Sequence, residues 1–157
     1  MMTSTNVKFK HEEYKLLKVT DYYEIRNLLH EFDYIFNPIL SKRISDLSIY
    51  AEKLCNHAIV YKAANINTLG FIVFYANNKE DNIAYLTQIA VYSDYVGKGV
   101  GRELLDKCVE ISKYNGMKIL KLEVFNNNDR AINFYKKNGF KFSGQASNNS
   151  MYMIKQL

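Results

Sequence analysis

Apolar and polar residues change rhythm several times along the chain, and each change predicts an element. "EYKLLKV" alternates with a period of two, as a strand with one covered face does. "TDYYEIRNLLHEF" then sets Ile25, Leu28, Leu29 and Phe32 on one helical stripe, with Asp21 and Glu24 at capping-box spacing ahead of it. "DYIFNP" reads as an aromatic loop that closes this helix, and "SKRISDLSIYAEKL" resumes the helical spacing with Ile44, Leu47 and Ala51. "HAIVYKA" and "LGFIVFYA" are strand-like runs around the turn-rich "ANINT"; "NNKED" then turns the chain into another strand, "IAYLTQIAVY". A glycine loop opens the next helix, which runs to about Tyr114 and closes at Asn115 and Gly116. "KILKLEVF" is strand, "NNNDRAINFYKKNGF" is a loop, a short helix and a Gly139 stop, and "SMYMIKQL" is a last strand.

This order predicts one mixed α/β domain over residues 1–157, with antiparallel hairpins early and a strand–helix–strand crossover late. There is no linker, repeat or low-complexity tract, and Pro38 is the only proline. With 48% hydrophobic and 24% charged residues, the chain builds a core without disulfides or metal, which excludes the disordered and fibrous classes. No apolar run approaches the roughly 20 residues of a membrane span, and "MMTSTNVKFKHEEYK" lacks the apolar segment of a secretory signal. Cys55 and Cys108 form no C-x-x-C pair, so a reducing, cytoplasmic setting is expected. Cys108 shares a helical row with Leu104 and Ile111 and reads as a small buried hydrophobe. His11, His30 and His57 have no motif around them and are taken as surface residues; no metal site is expected. A net charge of +5 favours an anionic partner or simply reflects a solvated lysine-rich surface. Without basic runs, helix-turn-helix or RNP patterns, nucleic acid is not the expected partner, nor is a membrane.

The densest signal is "YVGKGVGRELL". The first amides of a helix lack partners within it, and glycines let an anion approach them without Cβ atoms in the way. From the residues alone, Gly97, Gly99 and Gly101 serve either a tight turn or a phosphate cradle. A P-loop is excluded because no Gly-Lys-Ser/Thr occurs there. The dinucleotide fingerprint is excluded because Arg102 and Leu104 stand where its third glycine would be.

"IAVYSDYVGKGVGRELL" resembles motif A of the GNAT superfamily of N-acetyltransferases, a strand and short turn followed by R/Q-x-x-G-x-G/A. "LEVFNNNDRAINFYKKNGF" is similar to that family's later pattern, with Asn128, Ala131, Phe134, Tyr135, Gly139 and Phe140 at its positions, and "LLKVTDYYEIRNLL" is similar to its first strand and helix. The resemblance implies the GNAT acyl-CoA N-acyltransferase fold, a mostly antiparallel mixed sheet of about six or seven strands with about four helices. It implies acetyl-CoA as cofactor, its pyrophosphate held by amides from Val96 to Gly101, including Val100, with Lys98 and Arg102 adding charge. It also implies that Ile89, Ala90 and Val91 pair with the pantetheine arm, that Asn128 bonds it, and that Ala131 and Phe134 line its path. Val96 departs from the pattern: an Arg or Gln is expected there, so one side-chain contact to phosphate is lost.

Acetyl transfer to an amine needs a neutral amine, a polarised carbonyl and a proton for the departing thiolate. Tyr135 matches the family tyrosine that donates this proton, and a strand amide within residues 89–91 would polarise the carbonyl. Glu123, on "KLEVF" with Leu122 and Val124 on the opposite face, is either the general base or a solvated glutamate. Thr87 and Gln88 either hold a relay water or form a half-exposed strand face. Neither cysteine has a base partner, so direct attack in a ternary complex is expected. Phe32, Tyr34 and Phe36, with Asp33 among them, either frame a small amine or pack into the core. The expected acceptor is a small-molecule primary amine such as an amino sugar or polyamine. The alternatives are a protein N-terminus or lysine, or a non-catalytic CoA-binding domain. Homodimers are common among relatives, so that assembly stays open.

Overall fold

The fold is that of a computed structural model, described for residues 13–157; His11 and most of the N-terminal stretch read above lie outside the described residues. Seven strands form one sheet: β1 (Lys15–Lys18), β2 (Ile59–Ala64), β3 (Thr68–Tyr75), β4 (Ile83–Val91), β5 (Ile119–Phe125), β6 (Lys141–Gln145) and β7 (Ser150–Gln156). Their spatial order is β1-β2-β3-β4-β5-β7-β6, and every neighbouring pair is antiparallel except β4–β5. That one parallel pair needs a crossover, supplied by the helix α4 introduced below.

Helices cover both faces. On one, α1 (Tyr22–Glu31) and α3 (Leu47–His57) bury Ile25, Leu28, Leu29, Ala51 and Leu54 against Val60, Phe71 and Val73. On the other, α4 (Val100–Tyr114) and α5 (Asp129–Lys137) bury Leu104, Leu105, Cys108, Ile132 and Tyr135 against Leu86, Leu120 and Leu122. Half of the predicted capping box forms, Asp21 accepting from the Glu24 amide at 3.0 Å while the Glu24 carboxylate pairs with Lys62 of β2, and α4 ends at Asn115 with Gly116 at φ +83°.

Two expectations change. "SKRISDLSIYAEKL" is not one helix: a single turn, α2 (Leu40–Arg43), stops at extended Ile44, and α3 starts afresh after Asp46. The Asp46 carboxylate accepts from the amides of Ser48 (2.9 Å) and Ile49 (3.1 Å), and this local bonding outcompetes continuation of the helix. Strand β6 carries no period-two signal, because it is mostly exposed and its register shifts between Phe142 and Gly144, where Gly144 has φ +139°.

Two irregularities shape the centre of the sheet. Val73 pairs with Gln88 and Phe74 with Leu86, so Thr87 is an extra residue, a β-bulge in β4. The bulge flips the facing pattern: Leu86 packs toward α4, whereas Ala90 is buried on the α1–α3 side. Pairing of β4 with β5 runs from Ile83–Ile119 to Leu86–Leu122 and ends there, although both strands continue. Beyond that point the two strands form an open wedge.

Removing the cap that restarts α3, by Asp46→Ala, is expected to cost about 1 kcal/mol, read as a lower midpoint in urea denaturation with an unchanged slope.

Candidate active site

The wedge opens into a cavity of about 650 Å³ on the α4–α5 face. Its walls bring together β4 (Ile89, Ala90, Val91), the glycine loop (Val96, Gly97, Gly99, Gly101, Arg102) and α5 (Asn128, Ala131, Phe134, Tyr135). Residues 46 positions apart in sequence, Ile89 and Tyr135, thus meet at one site. Two residues of the glycine loop do not line it: Val100 points its side chain into the core, 2% exposed, and Lys98 stands over the Tyr95 ring at 5.6 Å.

At the loop, Gly97 and Gly99 adopt φ +77° and +90°, a backbone open mainly to glycine. A Cβ at either position would meet no protein atom within 4 Å and would only fill space in front of the helix. Gly101 differs, being helical with its Cβ position 3.5 Å from the Phe134 ring, an ordinary packing distance. Helix α4 has Gly99 as N-cap with no side-chain cap, and its first internal bond is Glu103 N–H to Gly99 C=O at 3.0 Å. The amides of Val100, Gly101 and Arg102 therefore precede the helical ladder and carry its positive dipole end. Arg102, Arg130 and Lys137 line the same cavity with no carboxylate among its walls, so a diphosphate fits this end. Arg102 reaches Asp106 only at 4.0 Å and exposed, a weak competitor.

Along β4, the Tyr92 amide bonds Leu69 on the β3 side. Strand alternation then turns the amides of Ile89 and Val91 toward the wedge and that of Ala90 toward β3. Ile89 and Val91 are the residues whose amides face a ligand in the cavity; Ala90 contributes wall only.

Tyr135 lies edge-on to Phe134 and Phe140, both at 5.5 Å, and is 8% exposed. Burial, aided by neighbouring Cys108, pushes its phenol above the ordinary tyrosine value, so it stays protonated. Asn128 caps α5 by accepting from the Ala131 amide at 3.2 Å, so what remains for a ligand is its NH2 group. Lys155 holds the other end of α5 through the Asn138 carbonyl at 2.6 Å.

Several sequence candidates lie elsewhere. Phe32 is fully buried against Phe71 (5.1 Å) and Tyr92 (4.3 Å), and Phe36 packs on Phe71 at 6.3 Å; neither lines the cavity. Only Tyr34 of that trio does, joined by Ile35. Asp33 is not offered to an amine, because both its oxygens accept from Ser41 at 2.7 Å. Desolvation opposes the change, but those bonds, with His30 and the Leu40 amide, hold its carboxyl below its ordinary value. Gln88 is buried rather than half exposed and donates to Tyr50 Oη at 3.3 Å; Thr87 is the bulge. Glu123 is the first β5 residue past the last β4–β5 pair, exposed on the α1–α3 side and accepting from Ser150 Oγ at 2.6 Å. It does not line the cavity. Arg130 and Lys137 were missed, although their spacing with Phe134 on one helix face was readable.

The profile of the Acetyltransferase (GNAT) family matches residues 22–140. Streptothricin acetyltransferase A of Bacillus subtilis is 37% identical over 91 residues, which are 58% of this chain and 51% of that protein. The chain thus spans about half the length of that curated relative. A Bacillus anthracis structure described as a streptothricin acetyltransferase with acetyl coenzyme A is 30% identical, with TM-score 0.60 over 68% of this chain and 67% of its own. The PaiA N-acetyltransferase of Thermoplasma acidophilum with coenzyme A, at 22% identity, shares the fold, with TM-score 0.73 over 92% and 99% of the two chains.

Val96→Arg should tighten acetyl-CoA binding by about 1 kcal/mol, roughly fivefold, by adding a charged hydrogen bond at the mouth; titration calorimetry measures it. Cys108 is fully buried and burial pushes its thiol up to about 12, so alkylation of the folded protein at pH 8 should mark Cys55 and spare Cys108 in peptide mass spectra.

Proposed function

Because the chain belongs to the GNAT family of acetyltransferases, we propose that it transfers an acetyl group from acetyl-CoA to a primary amine of a small molecule, by direct attack in a ternary complex. The observation that carries this reading is the single cavity in which unpaired α4 amides, the wedge edge of β4 and the Tyr135 phenol converge. Bound acetyl-CoA would supply the acetyl group already activated as a thioester.

The chain's own groups divide the work. The amides of Val100, Gly101 and Arg102, with the charges of Arg102, Arg130 and Lys137, hold the diphosphate. The Ile89 and Val91 amides orient the arm and polarise the carbonyl, at no reorganisation cost since β4 already fixes them. Tyr135 holds a proton for the departing sulfur, and its protonated phenol suits that role. Glu123, fixed by Ser150, accepts the proton lost by the attacking amine from the other face of the wedge. A small acceptor is favoured over a protein segment because Tyr34 and Ile35, in the 3-10 turn Asp33–Ile35, line the cavity, and such an aromatic turn would partly close an open peptide groove. The streptothricin-acetylating relative points the same way.

The test is thiol release from acetyl-CoA with panels of amines and peptides. Turnover of amines alone supports the proposal, and tight binding without any turnover reduces the protein to a CoA-binding domain. Tyr135→Phe should lower kcat by roughly a hundredfold while calorimetric affinity for acetyl-CoA holds; unchanged turnover removes Tyr135 from its role.

A further inference from the structure

On the α1–α3 side of the wedge, opposite the cavity, stands a polar group that the acetyl-CoA site does not use. Arg43, the last residue of α2, places its guanidinium over the Phe125 ring at 5.7 Å. Phe125 lies on β5 past the point where β4 leaves it. Among the described residues Arg43 has no carboxylate within ion-pair distance, yet partial desolvation lowers its pKa, with Tyr50 and Glu123 opposing that shift from farther off. Glu123 already accepts from Ser150, and a second cation, Lys121, stands on the same β5 face, 4.0 Å over the Tyr152 ring. Two cations thus face one carboxylate. Arg43 has no carboxylate of its own at ion-pair distance, and its planar guanidinium fork is left to bind one from a ligand.

We propose that the acceptor amine also carries a carboxylate, which Arg43 binds, making the substrate class an amino acid or a compound with the same amine-and-acid pair. This rests on the acetyl-transfer reading above and narrows it. A carboxylate suits the site better than a phosphate, because a second negative charge would stand beside Glu123. A free polyamine suits it worse, since it brings more cations beside Arg43 and Lys121. Aromatic walls from Phe125, Tyr50 and Tyr85 would cover the carbon skeleton between the two ends.

The experiment pairs amino acids with their own carboxamides, each pair offering the same amine, and follows thiol release with the full chain and acetyl-CoA. Wild type should prefer acid over amide by roughly tenfold or more in kcat/KM. Arg43→Gln should bring the two rates together through loss on the acid, and Arg43→Lys should keep part of the preference, since it retains charge without the fork. Calorimetry with acetyl-CoA on each variant reports folding and the cofactor site separately. Equal wild-type rates, no turnover of any carboxylate-bearing amine, or a preference that survives in Arg43→Gln overturns this inference while acetyl-CoA still binds. Absence of acetyl-CoA binding to the wild type overturns the acetyl-transfer reading instead.

Discussion

The whole arrangement depends on where the hydrogen bonds between β4 and β5 stop. A sheet satisfies its backbone groups by pairing, and two adjacent strands that part company leave donors and acceptors to find other partners. Here the parting follows Leu86–Leu122, one residue before the Thr87 bulge bends β4 and reverses its facing pattern. The amides of Ile89 and Val91 are thereby set along an open edge that a ligand's amide groups can pair with. The first turn of α4 continues the same line of unpaired donors. No side chain caps them at the helix start, since Gly99 has none to cap with.

The sheet also separates the two kinds of chemistry. On the α4–α5 side, the glycine loop and three cations at the cavity walls suit a long anionic ligand, and no carboxylate is among the residues that line it. On the α1–α3 side lie Glu123, Arg43 and several tyrosines. The wedge lies between the two. A donor held on one side and a nucleophile approaching from the other would meet there without either having to leave its own site.

Much of this was legible because it is local. Asp21 with Glu24, and Asn115 with Gly116, act over a few positions, and their spacing is their mechanism. Other residues were ambiguous for an equally physical reason. Asp33 looks like a free carboxylate among aromatics, but Ser41, eight positions on, takes both its oxygens. Phe32 and Phe36 look like a lining and are core, because Phe71 comes from a distant strand to meet them. Gln88 looks like a half-exposed polar residue, and a one-residue bulge turns it inward to Tyr50.

What the sequence by itself determined is therefore the set of elements, the bare backbone at the start of α4 and the residue types available to bind and move protons. All of these follow from short-range sterics and periodicity. Tertiary structure alone decided which strands would part, and so which amides would stay unpaired. It also decided that Tyr135 and Glu123 would stand on opposite faces of the sheet and that, among the described residues, Arg43 would have no carboxylate within ion-pair distance. Register and strand order are set by the fit of distant surfaces, and no local pattern of apolar and polar residues carries that information.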